Sequence, residues 1–341
     1  MKRFKRAFYI GLFLLGVLSS CKKDNLKPDF KEPEVPYVQD RSFKIVAYMP
    51  DYKNPNLIGE AKYKMITHLN YAFLKPNPIA DGSLLTLTNP SYFNILKEKS
   101  RLYGLKFGIS VAGAESIFVA ICSNPTTRET FIRNIVTFAK SNQLAGVDMD
   151  WEYPRTSNSQ PNADYTAFMK SLAKQLHASG MYLSAAITPA VYTSTNKEAI
   201  SPELYNDVDF FNIMQYDGAG YDTAEPLNHA PLKLTENSLN FWLETKGMPK
   251  HLAVLGMPLY GRSSTGSIGY RDIEASGADV MLNVARVNGV DYGFNGIALV
   301  KAKTAIALQR CNGIMFWEFA HDSNTNNSLI KAANDQLGRT Y

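Results

Sequence analysis

Cysteine is scarce in this chain: Cys21, Cys122 and Cys311 are the three among 341 residues. So few thiols exclude the disulfide framework of a small secreted scaffold, and whether Cys122 and Cys311 pair stays open. Histidine is nearly as scarce. The five residues (His68, His177, His229, His251 and His321) show no H-x-H or H-x-x-x-H spacing, so no metal centre is expected. A G-x-x-x-x-G-K-[ST] phosphate loop and a G-x-S-x-G nucleophile elbow are both missing, and no cofactor is expected. Surplus charge is small. The formal net charge of +5 falls by four, to +1, once Lys2, Arg3, Lys5 and Arg6 are set aside. A near-neutral chain attracts polyanions weakly, so no nucleic-acid partner is expected.

The apolar run from Ala7 to Val17 is too short to span a bilayer. With the basic residues before it and Leu18-Ser19-Ser20-Cys21 after it, residues 1–21 read as a secretion signal. The ending resembles a bacterial lipoprotein signal, in which Cys21 becomes the lipidated first residue. That resemblance implies a cell-envelope protein anchored to a membrane, periplasmic or surface-exposed. Residues 22–41 are charged and proline-rich, without helical or strand period, as an extended tether would be.

From residue 42 to 341 apolar, β-rich runs alternate with helix-like stretches. The strand candidates are Phe43–Tyr48, Met65–Phe73, Leu105–Ala112, Leu144–Trp151, Met181–Ile187, Val208–Tyr216, Leu252–Pro258 and Gly313–Phe319. Most are apolar on both faces, as parallel strands covered by helices are. Thr126/Thr127 start a helix carrying Phe131, Ile135 and Phe138, and Asp164–His177 sets Phe168, Leu172 and Leu176 on one stripe. Eight such strands over about 300 residues give the count and size of a (β/α)8 barrel, with a doubly wound open sheet as the alternative. In a barrel, chemistry belongs at the C-terminal strand ends. Polar and aromatic residues gather there: Tyr48, Tyr71, Phe73, Ser110, Glu152, Tyr216, Asp217, Tyr260, Arg262, Trp317 and Glu318.

One strand stands apart. In Leu144-Ala-Gly-Val-Asp-Met-Asp-Trp-Glu-Tyr-Pro154, Asp148, Asp150 and Glu152 occupy every second position. Side chains alternate across a strand, so the three carboxyls share a face. Three buried carboxyls repel one another and resist ionisation, which disfavours folding and suits proton transfer. Carboxylates at this spacing can also ligate Mg²⁺ or Ca²⁺. An apolar strand flanked by Trp151 makes a poor cage for a hard cation.

These residues resemble the chitinases of glycoside hydrolase family 18. Ala145-Gly-Val-Asp-Met-Asp-Trp-Glu152 is similar to the D-G-x-D-x-D-x-E signature. Further similar pieces are Thr67-His-Leu-Asn-Tyr-Ala-Phe73, Ser110-Val-Ala-Gly113, Met214-Gln-Tyr-Asp217, Tyr260-Gly-Arg262 and Gly313-Ile-Met-Phe-Trp317. The resemblance implies a retaining, substrate-assisted hydrolase acting on a polysaccharide or glycan that contains N-acetylglucosamine. It makes Glu152 the general acid/base and Asp150 the partner of the acetamido N–H. Asp148 would share a proton with Asp150, and Tyr48 and Ser110 would hydrogen-bond this inner pair. Tyr216 would orient the acetamido carbonyl, with Phe73, Met214 and Asp217 beside it and Trp317 as floor. Tyr260 and Arg262 would contact the next sugar. A monomer is expected.

The departures carry weight as well. Ala145 replaces the first Asp of the signature, at a parity that would point it away from the catalytic face. Ala112 and Ala114 stand where relatives often carry glycine and an aromatic gripping the leaving sugars. Only 51 positions separate Arg262 from Gly313, too few for the α+β module that walls the groove in many relatives. A single barrel with a shallow, open cleft follows. Two rivals share the fold: an endo-β-N-acetylglucosaminidase acting on N-glycan cores, and a non-catalytic sugar binder. Trp151-Glu152-Tyr153-Pro154 looks more like a chitinase, and the presence of Glu152 speaks for an enzyme.

Overall fold

A computed structural model describes residues 36–341. The secretion signal, Cys21 and residues 22–35 of the expected tether lie outside the described residues. The strands in chain order are β1 (Lys44–Pro50), β2 (His68–Leu74), β3 (Lys106–Ala112), β4 (Gly146–Asp150), β5 (Tyr182–Ile187), β6 (Phe210–Ile213), β7 (Ala253–Pro258), β8 (Tyr260–Arg262), β9 (Ser267–Gly269), β10 (Val284–Val287), β11 (Val290–Gly293) and β12 (Gly313–Trp317). Strands β1 to β7 and β12 close a barrel in which every strand pairs in parallel with its neighbours, β12 sealing β7 to β1. The open-sheet alternative is thereby excluded.

The helices are α1 (Glu60–Lys64), α2 (Pro90–Tyr103), α3 (Glu115–Cys122), α4 (Pro125–Ser141), α5 (Ala163–His177), α6 (Leu232–Leu239), α7 (Tyr270–Ala275), α8 (Ile297–Arg310) and α9 (Leu329–Gln336). Their starts follow local chemistry. The Asn124 side chain accepts from the Thr126 amide and Pro125 fills the first turn of α4, so this helix begins just ahead of Thr126. Asn162 caps α5 through the Tyr165 amide. The inner stripes of these helices (Phe131, Ile135, Phe168, Leu172) bury against the outward residues of the strands, such as Val147 and Met149. Between β5 and β6 a 3₁₀ turn (Pro202–Asn206) stands where a barrel usually has a helix. Among the described residues no helix is long and apolar enough to cross a membrane.

Three details add to the sequence reading or correct it. The stretch between Arg262 and Gly313 is not a plain link. Its strands β9 to β11 join β8 in a four-stranded antiparallel sheet, ordered β10-β11-β8-β9, with the short α7 alongside. Fifty residues suffice for this small cap because hairpins need few residues per strand. Residues 36–41 are not a free tether. Tyr37 donates from its hydroxyl to Asp209 at 2.8 Å and Gln39 donates to the Asp209 carbonyl at 2.9 Å. The Tyr37 ring also stacks on His177 with centroids 4.0 Å apart, which holds this segment on the N-terminal end of the barrel. Finally, Cys122 and Cys311 are free thiols, both buried, and burial pushes each up to about 12.

Candidate active site

The acidic face is built by register. Ser110 of β3 and Ser184 of β5 lie directly beside Asp148 of β4, and each neighbour supplies a hydroxyl. Asp148 Oδ2 accepts from Ser110 at 2.8 Å and from the Tyr48 hydroxyl at 2.9 Å. Its Oδ1 accepts from Ser184 at 2.6 Å and from the Asn212 amide at 3.1 Å. Burial raises the Asp148 pKa while these four donors pull it back. The pKa stays raised on balance, the four donors offsetting only part of the burial that opposes a charge here.

One pleat higher, the β3 neighbour of Asp150 is Ala112, which has no hydroxyl to offer. Asp150 Oδ1 is buried without a hydrogen-bond partner. Burial, then the Glu152 charge and the Asp148 charge, push the Asp150 pKa well above the carboxylate range. Asp150 thus lies within reach of both the Glu152 and the Asp148 charge. Asp148 is surrounded by four neutral donors, and Asp150 by none. Glu152 itself lies just beyond the end of β4 and is exposed.

Above this face opens a cavity of about 320 Å³, lined by Tyr48, Phe73, Asp150, Glu152, Tyr153, Met214, Tyr216, Asp217, Met315 and Trp317, with Ala112, Gly113, Ala186 and Pro189 at its edges. Trp317, at the end of β12, lies near-parallel to Phe73 (5.8 Å, 21°) and tilts over Tyr48 at 5.8 Å. Ser110 and Asp148 sit beneath the cavity. Tyr260 and Arg262 border it through Asp217, which accepts from the Tyr260 hydroxyl at 2.6 Å and pairs with the Arg262 guanidinium at 2.7 Å. Partial burial raises the Asp217 pKa. The hydrogen bonds of Tyr260 and Arg262 outweigh that and hold it well below the carboxylate range. The Tyr216 hydroxyl is pushed up by burial and by the surrounding Tyr260, Glu152 and Asp150.

Several members of the site escaped the sequence reading. Ser184 and Asn212 lie inside apolar strands, and only register shows that they face Asp148. Tyr153 follows Glu152 in a loop and turns into the cavity. Ala145 precedes β4, so the alternation rule does not reach it. It packs on the interior cluster with Tyr182 and Phe210 instead of pointing outward. Gly146 is needed in that cluster because a Cβ there would collide with the Tyr182 ring. Among the described residues no group of three or more His, Cys, Asp or Glu side chains is arranged to hold a metal ion.

Residues 44–322 match the family described as Glycosyl hydrolases family 18. The chain is 26% identical to Probable chitinase 10 of Drosophila melanogaster over 281 residues, which is 71% of this chain and 12% of that protein. It is 26% identical to Chitinase 1 of Aphanocladium album over 291 residues, 72% of this chain and 68% of the relative. It thus spans a small part of the first relative and about two thirds of the second. The structure of the chitinase ChiB from the chitin utilization locus of Flavobacterium johnsoniae superposes with a TM-score of 0.72 at 24% identity, covering 87% of this chain and 94% of that one. Human YKL-39, described as a pseudo-chitinase with retained chitooligosaccharide binding, superposes with a TM-score of 0.72 at 19% identity over 87% and 100% of the two chains. At these identities the two structures speak for the fold.

Proposed function

The chain belongs to glycosyl hydrolases family 18, and from that premise we propose that it cleaves β-1,4 bonds between N-acetylglucosamine units, in chitin or chito-oligosaccharides, internally and with retention. The observation that carries this reading is the stacking of Asp148 and Asp150 along β4 with Glu152 just beyond it, exposed, and lining with Asp150 and Trp317 one cavity. Glu152 protonates the glycosidic oxygen. The sugar's own acetamido oxygen then attacks its anomeric carbon, the leaving sugar departs with that proton, and an oxazolinium ion forms. This is the substrate-assisted exception among glycoside hydrolases. Asp150 turns to the acetamido N–H, and its charge offsets the developing cation. Tyr216 donates to the acetamido carbonyl and orients it. Water, deprotonated by Glu152, opens the oxazolinium and restores the enzyme.

Trp317 and Phe73 give the apolar sugar face a flat aromatic surface. Tyr48, Ser110 and Asp148 hold the inner layer. Met214 and Asp217 line the pocket, and Tyr260 and Arg262 orient Asp217 toward the adjoining sugar. A fold neighbour described as a pseudo-chitinase makes binding without hydrolysis the second reading. The complete carboxyl trio favours hydrolysis. The deciding experiment digests chitotetraose and a high-mannose glycoprotein side by side. Shortened chito-oligomers are expected. Release of mannose-rich glycan alone, or no product from either, would overturn the assignment.

We propose further that Cys21 is lipidated and anchors a monomer in the cell envelope, supported by the basic, apolar and small-residue order of residues 2–21. Cys21→Ser should move the protein from the detergent phase to the aqueous phase on phase partition. Unchanged partition would remove the anchor.

A further inference from the structure

His229, in the loop after β6, is fully buried, and its two ring nitrogens meet opposite kinds of backbone group. Nδ1 lies 3.1 Å from the Asp217 amide nitrogen, and Nε2 lies 3.1 Å from the Tyr260 carbonyl oxygen. The Asp217 carboxylate Oδ1 lies farther from Nδ1, at 3.4 Å, than the aligned amide. An amide N–H only donates and a carbonyl only accepts, so this bonding pattern is that of a neutral ring with its proton on Nε2. The ring also lies against Tyr260, centroids 4.8 Å apart. Its own carbonyl accepts from the Gly218 amide at 2.7 Å. One side chain therefore joins the end of β6 to the start of β8.

Asp217 needs such a clamp. Its φ of +62° lies in the left-handed region, which residues other than glycine avoid. Its side chain is 46% exposed, so packing alone does not fix its direction. Yet its carboxylate must face the Tyr260 hydroxyl and the Arg262 guanidinium together. The backbone at 217 sets that direction, and the Asp217 amide is the group that His229 holds.

We propose that His229 is a positioning residue that fixes Asp217 for sugar binding by accepting the Asp217 amide hydrogen at Nδ1. The proposal rests on the reading of Asp217 as a substrate-binding residue. His229 does not touch the substrate and acts through Asp217.

Two substitutions separate this role from packing. The Asn Oδ1 stands about where imidazole Nδ1 stands, so His229→Asn keeps an acceptor for the Asp217 amide. The Gln side-chain amide reaches toward the Nε2 position, so His229→Gln keeps the bond to Tyr260 and loses the acceptor. With chitotetraose, His229→Gln should raise KM about tenfold, what one ordinary hydrogen bond is worth, with a smaller change in kcat. His229→Asn should stay within about threefold of the native KM. A packing role predicts the reverse order, because Gln matches His better in volume, and that order overturns the proposal. In an Asp217→Ala background, His229→Gln should cause no further loss. An equal further loss would show that His229 acts elsewhere. If Asp217→Ala alone leaves KM unchanged, the substrate-binding reading of Asp217 fails instead. Should both His229 variants misfold, the ¹⁵N imidazole spectrum of the native protein decides. A proton on Nε2 alone supports the assignment, and a proton on Nδ1 overturns it.

Discussion

The Tyr48 hydroxyl donates to the Asp148 carboxylate at 2.9 Å, joining residues 100 positions apart, and Asn212 donates to both members of that bond. With Ser110 and Ser184, the innermost carboxylate is thus held by donors from four strands of the barrel. Asp150 has no such neighbours, and it alone of the inner pair is free to change partners. The proposed division of labour follows: Asp148 stays fixed, Asp150 moves, and Glu152 exchanges protons with the substrate.

Glu152→Gln removes the proton donor while preserving shape. General acid–base catalysis is worth about a hundredfold to ten-thousandfold, so kcat on chitotetraose should fall by that amount. Because Glu152 is exposed and its charge is one cause of the raised Asp150 pKa, the melting temperature at pH 7 should not fall. Undiminished turnover would remove Glu152 from the mechanism.

Asp150→Asn should lower activity and raise stability at neutral pH. The pKa of Asp150 is raised in the folded protein by burial and by the Glu152 and Asp148 charges. The folded state then keeps a proton that the unfolded chain releases above about pH 4. Stability is complete below that point and declines as pH rises toward the folded pKa, by about 1.4 kcal/mol for each unit between them. Asparagine carries no charge and escapes this decline. Thermal melts should show the variant above the native protein at pH 7, the gap closing below pH 4. Equal melting temperatures at pH 7 would contradict the raised pKa.

Trp317→Ala removes the aromatic floor beside Phe73. Measured by calorimetry in the Glu152→Gln background, chitotetraose affinity should weaken roughly tenfold or more, given about 0.5–1.5 kcal/mol for aromatic contact beyond area alone. Unchanged affinity would place the sugar elsewhere.

Asp322→Ala tests the frame and not the chemistry. Lys62 and Asp322 form a buried ion pair at 3.2 Å, and Asp322 also accepts from Ser328 at 2.6 Å and the Leu329 amide at 2.8 Å at the start of α9. Removing it strands a buried ammonium, which costs about 3–5 kcal/mol. Urea denaturation should show that loss. The double change Lys62→Met with Asp322→Leu should be milder, since no charge is left unpaired.

The barrel was legible because its strands are apolar on both faces and regularly spaced. Predicted Met181–Ile187 and observed β5 (Tyr182–Ile187) differ by one residue. Val208–Tyr216 overran β6, which stops at Ile213, since apolar residues continue past the last paired one. The acidic face was legible because alternation acts within one strand. What alternation cannot supply is register between strands, and that brings Ser184 and Asn212 to Asp148. The β8–β11 sheet was missed because strands of three or four residues leave little periodic signal. His229 was missed for a different reason: its partners are backbone groups, which the sequence does not mark.

The most direct measurement compares initial rates on chitotetraose and on the matching β-1,4-linked glucose tetramer, which lacks the acetamido group. Cleavage of the first and none of the second is the predicted result. Comparable rates on both would contradict attack by the substrate's own amide.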